Sequence, residues 1–119
     1  MKLIVVIFIC TLFFGIVYSS SGCTSCATIA VTFDINFNPG VTTFEPTKNS
    51  KNCTIVKVTC SATRPNDTVL FYWYDLNDRD IGTSGQGSIG STSKTLVCKD
   101  NGIFTLDEYP VSRAECLIE

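Results

Sequence analysis

The chain contains no histidine. A Ser–His or Cys–His catalytic pair therefore lacks its base, and a zinc site would have to do without imidazole ligands. Positive charge is scarce too: nine Lys and Arg stand against eleven Asp and Glu, with no basic cluster. That balance argues against nucleic acid and anionic membranes as partners. No segment has convincing helical periodicity, and there is no internal repeat. Long apolar runs are missing as well, with one exception at the very start.

That exception is informative. Met1-Lys2 is a short positive start, Leu3 to Val17 is apolar apart from Thr11 and Gly15, and Val17-Tyr18-Ser19 offers small or uncharged residues for a peptidase. This three-part layout is that of a secretory signal peptide. A spanning helix needs about 20 apolar residues, and the run falls short. The expectation is a signal peptide over 1–19 and one domain over 20–119, secreted, with no membrane insertion once the signal is removed. Loss of Lys2 leaves eight basic residues against eleven acidic, a net charge of −3. A domain of this size buries only a modest core, so covalent cross-links are useful to it.

Cross-links are what the remaining cysteines offer. Of the seven, Cys10 lies in the apolar run, where it behaves as a small hydrophobe, and departs with it. Cys23, Cys26, Cys53, Cys60, Cys98 and Cys116 remain. An even number in a short secreted chain reads as a disulfide framework. Three bridges at ~2–4 kcal/mol each would match the net stability of an ordinary domain. Cys23-Thr24-Ser25-Cys26 also has the spacing of a redox pair or half a zinc site. Redox pairs, however, open a helix after a strand, and here a strand-like run follows. No metal or other cofactor is expected.

The rest of the chain reads as short strands between turns. Ile29, Val31, Phe33, Ile35 and Phe37 alternate with Ala30, Thr32, Asp34 and Asn36, the pattern of a half-buried strand. Asn38-Pro39-Gly40 ends it. Val41 to Phe44 reads as a short edge piece, and Pro46 to Asn52 as a polar loop. Cys53 to Cys60 is a second strand whose two cysteines, seven positions apart, face opposite ways and so bond different partners. Thr68 to Leu76 is the most apolar strand. Gly82 to Thr95, with four glycines, reads as a flexible loop or a weak hairpin. Thr95 to Cys98 resumes a strand, Asn101-Gly102 signals a hairpin returning through Ile103 to Leu106, and Val111 to Ile118 closes the chain. The expected fold is all-β: a small disulfide-rich antiparallel β-sandwich, immunoglobulin-like or sushi-like.

Few positions carry chemistry. Asn52-Cys53-Thr54 and Asn66-Asp67-Thr68 are glycosylation sequons, the second in a turn. Asp75, Asp78 and Asp80 form the densest carboxylate group. Calcium binding is one reading, but Arg79 interrupts them and no glutamate closes an EF-hand loop. A general acid and base of a small secreted hydrolase is another; a solvated turn is the plainer one. Phe71, Tyr72, Trp73 and Tyr74 must alternate across the strand, so one pair packs in the core and the other forms a possible binding face.

Cys-Thr-Ser-Cys-Ala near the mature start, Val-Thr-Cys at 58–60, Leu-Val-Cys at 96–98 followed by Asn-Gly, and the last cysteine at 116 resemble the nematode C6 domain. That is a six-cysteine extracellular family of unknown function. The resemblance covers Cys23 to Cys116 and implies a bridge from Cys23 to Cys53. The tail from Val58 through Cys98 and Gly102 to Cys116 also resembles sushi modules, which would imply Cys26 to Cys98 and Cys60 to Cys116. Spacing alone leaves fifteen pairings open. Trp73, thirteen residues after Cys60, is similar to the strand tryptophan of immunoglobulin-like domains, although no Tyr-x-Cys follows. The function expected is that of a secreted, non-catalytic module binding an extracellular protein or glycan, or serving in matrix.

Overall fold

A computed structural model of the chain describes residues 22–33 and 38–119. The proposed signal peptide, Ile35 and Phe37 lie outside these residues. After a single 3-10 turn, Gly22–Thr24, ten strands follow. They are β1 (Ala30–Thr32), β2 (Asn38–Pro39), β3 (Val41–Lys48), β4 (Thr54–Ser61), β5 (Thr68–Tyr74), β6 (Asp80–Ile89), β7 (Ser91–Cys98), β8 (Phe104–Leu106), β9 (Tyr109–Pro110) and β10 (Arg113–Ile118). They form two sheets, one ordered β1-β10-β5-β6 with β2 also on β10, the other β3-β4-β7-β8-β9. The protein is a small disulfide-rich β-sandwich. All pairings are antiparallel except β1 with β10.

Alternation in β5 decides which side chains meet between the sheets. Val69, Phe71 and Trp73 are fully buried there, against Val58 and Cys60 of β4, Leu96 and Cys98 of β7, and Ala114 and Cys116 of β10. Burial of a side chain the size of Phe contributes about 1.5–3 kcal/mol. Ala114 stands directly opposite Trp73 in the ladder, and its small side chain leaves room for the indole. The Phe71 and Trp73 rings tilt at 32° with centroids 4.7 Å apart. The indole N–H, which would be costly to bury unpaired, donates to the Ser84 hydroxyl at 2.9 Å.

Three bridges complete the frame: Cys23–Cys53, Cys26–Cys98 and Cys60–Cys116. The last ties β4 of one sheet to β10 of the other. It passes so close to Gly40 that a Cβ there would lie 2.6 Å from the Cys116 sulfur. The other two fasten the N-terminal segment to the ends of β4 and β7, and with it Ile29 enters the core.

Three sequence expectations need correction. Among the described residues of the strand expected from Ile29 to Phe37, strand structure covers Ala30–Thr32, and of the described apolar positions Ile29 is buried while Val31 is 41% and Phe33 66% exposed. β1 is an edge strand with one neighbour, so little covers it. The first part of the polar loop expected over Pro46 to Asn52, Pro46–Lys48, belongs instead to the eight-residue β3, because an edge strand tolerates a proline that donates to no ladder, and the turn is confined to residues 49–52. The glycine-rich stretch from Gly82 to Thr95 is neither a loop nor one weak hairpin. It is β6 in one sheet and β7 in the other, joined at Gly90. Gly85 and Gly87 take φ of 73° and 79°, a backbone glycine adopts without steric cost. With Gln86 they form a bulge of three residues opposite Leu70, between the Val69–Ser88 and Phe71–Ser84 pairs.

Candidate functional site

The alternation that buries Phe71 and Trp73 turns Tyr72 and Tyr74 outward, where both are half-buried. In the ladder they stand opposite Glu115 and Arg113 of β10. The Arg113 guanidinium lies over the Tyr74 ring, 3.6 Å from its centroid. Its Nε donates to Asp78 Oδ1 at 2.7 Å, and its Nη1 donates to Thr32 Oγ1 at 2.7 Å and Glu115 Oε1 at 3.0 Å. One side chain thus connects β1, β5, β10 and the β5–β6 turn. The ring contact is worth about 0.5–2 kcal/mol. The Asp78 arm adds ~0–1 kcal/mol, since that carboxylate is mostly in water.

These contacts set the protonation of the patch. Burial, and then the hydrogen bond to the Glu115 carboxylate, push the Tyr74 hydroxyl above its ordinary range. For Arg113, burial works against the charge, but the hydrogen bonds to Asp78 and Glu115 outweigh it and hold the guanidinium more firmly protonated. The result is a rigid surface of two phenol rings, a fixed cation and flanking carboxylates.

The structure divides the expected aromatic face. Phe71 and Trp73 are core residues and leave the binding surface; Tyr72 and Tyr74 stay on it. The three aspartates do not converge. Asp75 Oδ1 accepts the N–H groups of Asn77 and Arg79 at 2.8 and 2.9 Å, Asp80 Oδ1 accepts that of Gly82 at 2.8 Å, and Asp78 bonds Arg113. Each carboxylate fixes its own piece of turn or strand. Among the described residues, the close group of ligand-type side chains is Cys23, Cys53 and Asp100. Its sulfurs are joined in a bridge, whereas a metal needs thiolates.

Asn52 and Asn66 are both exposed, at opposite ends of β4. Asn66 sits in a turn that Asp67 closes, its N–H donating to the Arg64 carbonyl.

No known protein family, curated protein or solved structure matches this chain. The geometry therefore has to carry the functional reading alone.

Two features escaped sequence reasoning. Arg113 is a lone basic residue in the last strand, 35 positions from Asp78 and 81 from Thr32, and nothing local marks it. An apolar pocket of about 270 Å³ is lined by Ile29, Phe44, Pro46, Val56 and Phe104. Four separate segments supply that lining, so no single run of sequence announces it.

Proposed function

We propose that this chain is a secreted, non-catalytic binding module whose recognition surface is the outer face of β5 and β10, centred on Tyr72, Tyr74 and Arg113. The observation that carries the reading is Arg113, pinned over Tyr74 by three acceptors on separate elements. Aromatic rings and arginines held rigid lose little entropy on binding, and they dominate recognition surfaces in proteins. The partner is an extracellular protein or glycan, or a component of matrix. Three supports favour the extracellular setting. The first is the leader-like start; the second is a set of three disulfides, which persist in oxidising compartments. The third is that, among the described residues, no helix is long and apolar enough to cross a membrane. The cysteine order that resembles the nematode C6 domain fits the same setting, as do the glycosylation sequons at Asn52 and Asn66.

The test is capture from native extracellular fluid by immobilised protein, followed by affinity measurement on what is captured. Replacing Tyr72 and Tyr74 together by alanine is expected to weaken binding by at least about thirtyfold, the size of one lost hot spot, with the fold intact by circular dichroism. Unchanged affinity would remove this face from the account, and a protein that captures nothing would remove the binding function.

A further inference from the structure

The two sequons lie in regions whose folding is completed at different stages of synthesis. Asn52-Cys53-Thr54 occupies the end of the β3–β4 hairpin. Asn52 has φ +63°, its N–H donates to the Asn49 carbonyl at 3.0 Å, and the Cys53 N–H donates to Asn49 Oδ1 at 3.0 Å. Thr54 is paired across the ladder with Lys48. The middle residue of the sequon is itself a bridge partner, bonded to buried Cys23, 30 positions upstream. A glycosyltransferase must hold the asparagine amide and the threonine hydroxyl together on an open chain. The closed hairpin, with Cys53 anchored beneath it, cannot offer both.

Asn66-Asp67-Thr68 differs. Its surroundings are completed by residues made late: the Gly90 N–H donates to the Asp67 carbonyl at 2.8 Å, and the Glu119 N–H donates to the Thr68 carbonyl at 2.8 Å. Both strands beside β5, β6 and β10, follow it in the chain, and β10 follows by about 40 residues. This sequon stays open until β10 and Glu119 arrive, whereas every partner needed to close Asn52 is made by residue 54.

We propose that Asn52 is a glycosylation site gated by the Cys23–Cys53 bridge, and that Asn66 is modified independently of it. This rests on the reading of the chain as secreted. In the modification, Asn52 Nδ2 bonds to the anomeric carbon of an oligosaccharide carried on a lipid diphosphate. The bond from that carbon to the phosphate oxygen breaks, the lipid diphosphate leaves with the electron pair, and the amide proton passes to a base of the transferase. In the competing step the Cys23 and Cys53 thiols give two electrons and two protons to the disulfide of an oxidoreductase, which becomes a dithiol. Every partner that closes Asn52 is present as soon as the sequon is made, and disulfide formation takes seconds or longer, so the sequon is open for an interval before the bridge forms and Asn52 is partly occupied.

The experiment is secretory expression followed by enzymatic release of the glycans and site-by-site occupancy by mass spectrometry. Cys23→Ser, which opens the bridge and leaves the sequon intact, removes the competing closure and is expected to raise occupancy of Asn52 by about twofold or more. Asn66 should not change. Should the variant be retained in the cell, the wild-type chain synthesised under brief dithiothreitol and analysed in the intracellular pool gives the same comparison. Equal occupancy of Asn52 with the bridge open and closed, whether full, partial or zero, overturns the gating. If Asn66 carries glycan in that case, the secreted reading survives. If neither sequon is modified and the leader is retained, both readings fail together.

Discussion

Strand β5 presents two faces to two environments, and they are held by different forces. Inward, Val69, Phe71 and Trp73 are fully excluded from water and locked by shape, with Ala114 making room for the indole and the Cys60–Cys116 bridge alongside. Outward, Tyr72 and Tyr74 keep contact with water, and Tyr74 is organised by a cation and its carboxylates. The inner face is stabilised by area removed from water and by packing that tolerates no void. The outer face gains less, a ring contact of about 0.5–2 kcal/mol and an Asp78 arm that solvent screens, but it fixes Arg113 over Tyr74 in one geometry. A small domain with three bridges can leave such a face available, because most of its stability comes from elsewhere.

The largest effect that would sharpen this contrast comes from truncating one residue on each face. Trp73→Ala is expected to cost about 3–5 kcal/mol, as large core deletions do, and it also leaves the Ser84 hydroxyl without its donor. Tyr72→Ala should cost less than about 1 kcal/mol. Guanidinium unfolding with the disulfides intact gives both values, and equal losses would erase the distinction between the faces.

A smaller effect is read from pH. The Tyr74 hydroxyl titrates above its ordinary value near 10 in the folded state, because burial and Glu115 disfavour the phenolate. The folded chain therefore holds this proton more tightly than the unfolded chain. The associated stability is complete below about pH 10 and is lost as pH rises through the folded-state ionisation. Tyr74→Phe should unfold less steeply with rising alkalinity than the wild type. Superimposable stability curves above pH 10 would mean that Tyr74 is not held as described.

Much of the fold was legible because it depends on local alternation. The apolar run from Thr68 to Leu76, the Asn101-Gly102 turn and the six mature cysteines are all visible one residue at a time. What failed depended on neighbours distant in sequence. Gly82 to Thr95 has little intrinsic strand preference, yet β5 and β4 supply ladder partners for it. Its glycines are needed where the chain bulges or turns: a Cβ at Gly85 would collide with Thr92. Val31 and Phe33 alternate correctly but lie at or beside a sheet edge, where alternation does not guarantee cover. Of the candidate site, the outward tyrosines could be anticipated. Arg113 could not, since its partners Asp78 and Thr32 are brought together only by the β1–β10–β5 order.

The account depends most on the sulfur framework that sets the sheets against each other and holds the N-terminal segment in place. Proteolytic digestion of the unreduced secreted protein, with the linked peptides identified by mass spectrometry, tests it most directly. The expected result is three linked pairs, Cys23 with Cys53, Cys26 with Cys98 and Cys60 with Cys116. Free thiols at these positions, or Cys60 joined to any partner other than Cys116, would contradict it.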